Sequence, residues 1–322
     1  MEEPINDDKE TKQKIIDIFL DYFSSRGYEI THSAPFVTDD KSVLFTNATI
    51  IPWKKYVLGG SIPKEGVCME QPCLRLHVLS DPIQIGINYE TSFVRFLGYF
   101  NMLGLLTGPE NGELVADDVL KLLTEHYNIS KDNLRVMSSK AHDFIRTLEG
   151  KVSIDYETKQ KSFYHWDYGM DGVYGCGTTF CLKQKDETFK EIGQLIKIRN
   201  SEGLETFEFG FGVETFLSRL QSRSDYSAWA IYHCLPSEYR FKTILDLASC
   251  LGATSTINPE LITIKHNKEI GRLAKRIALA ERVFNIPHLI LEDAINKFIK
   301  TEFNYDSGDY ISEKIKYARE LI

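Results

Sequence analysis

Cysteine is scarce in this sequence, six residues in 322, and no secretory lead is expected. The first residues, MEEPINDDKETKQK, are polar and acidic where a signal peptide is basic and then apolar. A cytoplasmic protein with reduced thiols is therefore expected. No apolar run approaches the roughly 18 residues that a membrane helix needs. Basic excess is absent too: 38 Lys and Arg stand against 46 Asp and Glu, a net charge of −8. Charge alone gives no nucleic-acid reading, although an acidic body leaves room for a local basic groove. Internal repeats and low-complexity tracts are also lacking. What is present is 43% hydrophobic residues, enough for one large domain or two ordinary ones and too many for a disordered chain.

Periodicity supplies the organisation. Residues 1–11 read as a frayed acidic lead. From Lys12 to Arg26, Ile15, Ile16, Ile18, Phe19, Tyr22 and Phe23 recur at helical spacing before Gly27. Short strands are expected at Tyr28–Ile30, Val43–Thr46 and Cys73–Leu79, and buried core at 92–106. A helix at Val115–His126 precedes strands at Leu134–Met137 and Lys151–Tyr156, with a helix between them. A Gly-rich segment at 169–177 then leads to strands at Phe189–Arg199 and Thr206–Phe211. Beyond residue 226 the pattern is helical, at Tyr226–His233, Glu238–Leu251, Lys268–Phe284 and Leu289–Glu302. The expectation is an α+β domain over 1–225, an antiparallel sheet flanked by helices, followed by a smaller all-helical domain over 226–322.

Several groups could carry chemistry. Cys68 with Cys73, and Cys176 with Cys181, share a C-x4-C spacing. Zinc knuckles bring paired ligands together in tight turns, whereas Cys73 and Cys181 stand among strand-like residues, so buried free thiols are expected. The histidines are scattered and form no H-x-x-x-H pair. In Phe207–Glu214 aromatic residues alternate with acid or glycine before a helix begins. Such a strand-to-helix passage exposes backbone N–H groups to a phosphate or carboxylate, and a core strand with a close neighbour looks the same. Arg75, framed by apolar residues, is either the solvent face of an edge strand or an inward guanidinium that grips an anion in bidentate fashion. Trp166 with Gly169, Gly172, Gly175 and Gly177 is either a turn-rich loop or part of a pocket. Lys268, Arg272, Lys275 and Arg276 form a basic helix face, read as solvated surface with contact to a nucleic-acid backbone as the lesser alternative.

The order of these groups resembles the start of alanyl-tRNA synthetases, a class II family. The opening helix FLDYFSSRGYEI is followed by Leu44-Phe45-Thr46-Asn47-Ala48, Gln71-x-Cys73-Leu74-Arg75 and Phe93-x-x-x-Leu97-Gly98-x-Phe100. Trp166-x-x-Gly169-x-x-Gly172-x-x-Gly175, Glu191-Ile192, and Gly210-Phe-Gly212-Val-Glu214 with Leu220-Gln221 continue it, over roughly residues 15–221. The resemblance implies an antiparallel sheet that cradles ATP and an amino acid, with carboxylate attack on the α-phosphate giving an aminoacyl adenylate and pyrophosphate. By position it makes Arg75 the holder of α-phosphate and carboxylate, Trp166 a wall of the amino-acid pocket, and Gly210 the glycine that leaves room for a small side chain. Glu208 stands where an Asp would bind the substrate ammonium. Glu191 and Glu214 are the implied carboxylates for magnesium.

Departures from the pattern are as informative. Thr215 stands where an Arg should contact ATP, Val94 where a Phe should stack on adenine beside Phe93, and Arg95 where a Glu should follow. Arg219, one turn beyond Thr215 on the same helix face, is a possible substitute cation. The long tRNA-binding region and the editing domain of the family are not matched by the roughly 100 helical residues at the end. The resemblance thus implies ATP-dependent activation of a small amino acid such as alanine or glycine, passed to an acceptor other than or besides tRNA: a small molecule, a carrier protein or an RNA. The alternatives are a catalytically inactive pseudo-synthetase, acting as an amino-acid- or nucleotide-binding or partner subunit, and a minimal alanyl-tRNA synthetase.

Overall fold

A computed structural model describes residues 5–76, 98–223 and 226–322, the side chains of 5–7 excepted. The chain opens with α1 (Ile5–Ser25), which begins inside the expected acidic lead. That lead is held by charges distant in sequence. Arg223 donates to Asp8 at 2.7 Å, His233 Nε2 lies 3.1 Å from the same carboxylate, and Lys12 pairs with Glu302 at 3.3 Å. Local composition contains none of these partners, so the polar opening reads as frayed. The apolar stripe of α1 behaves as its spacing demands, with Phe19 and Phe23 fully buried.

After α1 come β1 (Glu29–Ile30), α2 (Ile50–Val57), β2 (Val67–Arg75), β3 (Gly98–Thr107) and α3 (Gly112–Lys121). Five further strands follow, β4 (Leu134–Ser138), β5 (Ser153–Tyr156), β6 (His165–Asp167), β7 (Tyr174–Lys183) and β8 (Phe189–Arg199), and then β9 (Glu205–Gly212), which runs into α4 (Val213–Leu220). The expected strand at Val43–Thr46 is absent. Thr46 N donates to Phe36 O and Thr46 O accepts from Leu74 N, single bonds that fasten a loop to the end of β2 without forming a ladder. The strand β7 is the converse case. Its glycines obscure the alternation, yet a Cβ at Gly177 would lie 2.6 Å from the Leu195 carbonyl oxygen, so close pairing with β8 requires glycine there.

Among the described residues nine strands form one sheet, in the order β1-β2-β3-β9-β8-β7-β4-β5, with β6 also on β7. The interior pairs are antiparallel, and the two edge pairs β1–β2 and β4–β5 are parallel. One face of the sheet carries Cys68, Leu103, Leu105, Phe207, Phe209 and Phe211, which pack with α1, α3 and α4 into the largest apolar cluster. The other face carries Glu208, Gly210 and Gly212 of the same strand β9, as a period of two requires. At one end it is covered by Ile50, Trp53 and Val57 of α2.

A bulge interrupts the β7–β8 ladder. Phe180 pairs with Gly193 and Cys181 with Glu191, leaving Ile192 without a counterpart. Ile192 belongs to the helix-covered core, and a Cβ on Gly193 would meet the Phe209 ring there. Glu191 and Gln194, three residues apart, consequently share the opposite face.

The remaining chain is helical: α5 (Ala230–Cys234), α6 (Lys242–Thr254), α7 (Ile264–Val283), α8 (His288–Phe303) and α9 (Tyr310–Glu320). The four expected helices fall on α5–α8 with shifted ends. The fifth, α9, presents Ile311, Ile315 and Ala318 inward and is fastened by Arg319 to Glu281 and Glu292. The apolar cluster of these helices includes Leu74 of β2 and Tyr99 of β3, so α5–α9 pack directly onto the sheet beside Arg75. No helix among the described residues is long and apolar enough to cross a membrane.

Candidate active site

A cleft of about 110 Å³ opens at the glycines of β9, lined by Arg75, Phe100, Met102, Gly210, Phe211, Gly212 and Thr215 and by the bulged stretch Glu191–Gln194 of β8. It unites positions from β2, β3, β8, β9 and the first turn of α4. Arg75, Glu191 and Gly210, three residues singled out in the sequence, meet here although they are far apart in the chain.

Arg75 is the inward guanidinium of the two readings above. Its Nε donates to the Asn47 carbonyl at 2.8 Å, and its Cζ lies 4.9 Å from the centre of the Phe100 ring. Burial lowers its pKa and the charge of Glu208 opposes that effect; an arginine remains protonated regardless. One bond and one aromatic face thus fix the plane of a cation with further donors to offer. Glu191 lines the cleft; burial of its carboxyl raises its pKa, against the positive charges of Arg219 and Lys159.

Glu208 does not line the cleft. Its carboxylate is buried and already bonded, accepting from Tyr168 Oη at 2.8 Å and from Thr49 Oγ1 at 3.3 Å. Burial raises its pKa, against the two hydroxyl donors and Arg75. Trp166, expected as a wall of the pocket, is likewise outside the lining and packs with Ile196, Tyr168 and Met170. Both residues stand on the cleft face of the sheet, at its α2-covered end.

Glu214, implied by the resemblance as a carboxylate for ATP and magnesium, is not among the residues that line the cleft. Its Oε2 accepts from Asn101 N at 3.0 Å and its Oε1 lies 3.6 Å from Lys12 Nζ. Burial pushes its pKa up to about 7; Lys12 opposes this and Glu302 adds to it. Tyr99 Oη donates to Glu302 at 3.1 Å, closing a buried network behind the sheet. Arg219 is also buried and outside the lining, so the proposed substitute cation acts on Glu191 rather than on the cleft directly. Thr215, in place of the expected Arg, does face the cleft. Phe93, Val94 and Arg95 lie outside the described residues.

Sequence reasoning gave no place to Thr49, Met102, Tyr168 and Gln194, and Phe100 only as a motif position. Met102 was hidden in an apolar run read whole as core; only the register of β3 on β9 separates the two faces of that run. The six cysteines are free thiols, Cys73 and Cys181 in strands as expected. Among the described residues no three His, Cys, Asp or Glu side chains gather as a metal site. On the late basic face, Lys268, Arg272 and Lys275 are exposed and Arg272 pairs with Glu269.

Comparison with known proteins gives a consistent picture. Residues 14–172 match the family of class II (A) tRNA synthetases. An alanine–tRNA ligase of Christiangramia forsetii is 28% identical over 215 residues, 60% of this chain and 24% of that protein. One from Cytophaga hutchinsonii is 26% identical over 211 residues, 59% and 23% of the two chains. A third, from Campylobacter jejuni, is 33% identical over 122 residues, 37% and 14%. The matched segments span about a quarter or less of the length of these relatives.

Proposed function

We propose, from the premise that this chain carries a class II tRNA synthetase core of the alanyl type, that it activates a small amino acid, glycine or alanine, with ATP. The substrate carboxylate attacks the α-phosphorus, the bond to the β-phosphate breaks, and aminoacyl adenylate and pyrophosphate form. The acceptor is then a small molecule, a carrier protein or an RNA, other than or besides tRNA. Residues 1–225 are read as the activating part and 226–322 as a helical domain packed against it.

The observation that carries this reading is the meeting of Arg75, Glu191 and Gly210 in one cleft. Arg75 neutralises charge that builds on the α-phosphate, and its fixed plane orients the carboxylate for attack. Glu191 suits magnesium, which takes one or two carboxylates together with phosphate oxygens and supplies charge neutralisation when bound. A second reading, a binding module without chemistry, is favoured by Thr215 in the cleft and by a Glu208 already satisfied by two hydroxyls.

ATP–pyrophosphate exchange with magnesium and each of the twenty amino acids separates the two. Exchange with glycine or alanine is expected, falling by at least ~100-fold in Arg75→Ala, as for loss of a charge-stabilising donor. Exchange with no amino acid, or exchange unaffected in Arg75→Ala, would overturn the activating reading.

A further inference from the structure

The cleft and the buried acid Glu208 are neighbours kept apart by two side chains. In the β3–β9 register Met102 stands opposite Gly212, Gly104 opposite Gly210, and Leu106 opposite Glu208. The central pair has no side chains, so the surface of the sheet has a bare gap between the cleft and the acid. Two residues fill it. The Met102 Cε lies 2.9 Å from where a Cβ on Gly210 would be, and Thr49 Oγ1 lies 2.6 Å from a Cβ on Gly104. Thr49 Oγ1 is in turn 4.0 Å from Met102 Sδ and 3.3 Å from Glu208 Oε1. Met102 lines the cleft and Glu208 does not.

We propose that Met102 is a gate between the cleft and Glu208, and that the space it yields sets the size of the amino acid that binds. This rests on the activating reading for the placement of the substrate carboxylate at Arg75. An amino acid held there brings its ammonium to Glu208 across the Gly104–Gly210 gap, where it takes over from one of the two hydroxyls. The thioether end of Met102 must leave that gap. An unbranched side chain with three rotatable bonds can do so without moving the strand. Where it withdraws to, and how far, limits the substrate side chain over Gly210.

The test uses the full chain and two shortened variants, Met102→Ala and Met102→Val, with thermal unfolding as the check on folding. The Val variant keeps a strand-favouring residue if the Ala variant does not fold. Binding of glycine, alanine, serine and valine is measured by calorimetry without ATP, and exchange is measured in parallel. The wild type is expected to bind the smallest amino acids best. Met102→Ala should improve valine relative to glycine by ~10-fold or more, the order of one or two methylenes in a pocket, with Met102→Val intermediate. An unchanged ranking in both variants, or no binding of any amino acid by any of the three proteins, would overturn the gate. Widened binding without exchange in any protein would sink the activating reading and leave the gate. Exchange by the wild type with an unaltered ranking in the variants would do the reverse.

Discussion

The two faces of strand β9 carry opposite kinds of residue. Phe207, Phe209 and Phe211 point into the cluster built with α1, α3 and α4, while Glu208, Gly210 and Gly212 point the other way. One face fills space with rings; the other leaves it bare and adds an acid. A single pleated strand thus keeps stability and chemistry on opposite sides, so that adjacent residues in sequence answer to different requirements. The conflict between a tight core and an accessible site is settled by parity rather than by distance.

Three substitutions probe that division. The largest effect is expected at Phe209, which is wholly buried. Phe209→Ala should cost about 3–5 kcal/mol of stability in a denaturant titration, the range for deleting a buried ring, while amino-acid binding by the fraction still folded is retained. A comparable loss of binding affinity in folded protein would show that the faces are not separable.

The second concerns Glu214, where β9 ends and the chain leaves the sheet. Its pKa, raised to about 7 from the model-compound value of 4.5, means that the fold favours the protonated carboxyl. The stability this contributes is fully present below pH 4.5 and is lost as the pH rises through 7. Burial also pulls the Lys12 pKa down, but Glu302 and Glu214 together raise it above its ordinary value, so the lysine stays charged throughout. Glu214→Gln should therefore gain on the wild type between pH 5 and 8, by about 3 kcal/mol at most, read from unfolding curves at the two pH values. A constant difference between the two proteins would place the titration elsewhere.

The smallest effect in energy falls on Gly210, next to Phe209. Gly210→Ala should cost about 1–3 kcal/mol, because its Cβ meets the movable end of Met102 at 2.9 Å and the fixed Leu103 carbonyl oxygen at 3.2 Å. The new methyl group should nevertheless weaken alanine relative to glycine by ~10-fold in binding or exchange. A large loss of stability with an unchanged preference would mean that this face, too, is packed for strength.

How far the sequence could be read follows the same parity. Strand β8 was legible from Phe189 to Arg199 through its density of apolar and β-branched residues despite the bulge, and the stripe of α1 from Ile15 to Phe23 because burial repeats there at the helical period. The start of α1 was not, because Asp8 and Lys12 are buried by partners some two hundred residues or more away. Nor was β7, in which glycines replace the side chains that would have marked its alternation. Arg75, Glu191 and Gly210, which line one cleft, were singled out from motif order, which survives without knowledge of register. Met102 and Thr49 were not, because their importance lies in what stands opposite them. That Glu214 lies off the cleft lining was not legible for a related reason: a position just past a strand carries no mark of which way the helix turns it.

The bulge at Ile192 extends this point to descent. Beyond an inserted residue, every side chain of a strand is re-addressed from one face to the other, so a single codon gained or lost exchanges a whole set of groups at once. Glu191 reaches the cleft by this route, three residues from Gln194 instead of two or four. New chemistry can be recruited to such a sheet by a change in length, with no residue altered in kind, and the aromatic layer beneath need not be rebuilt.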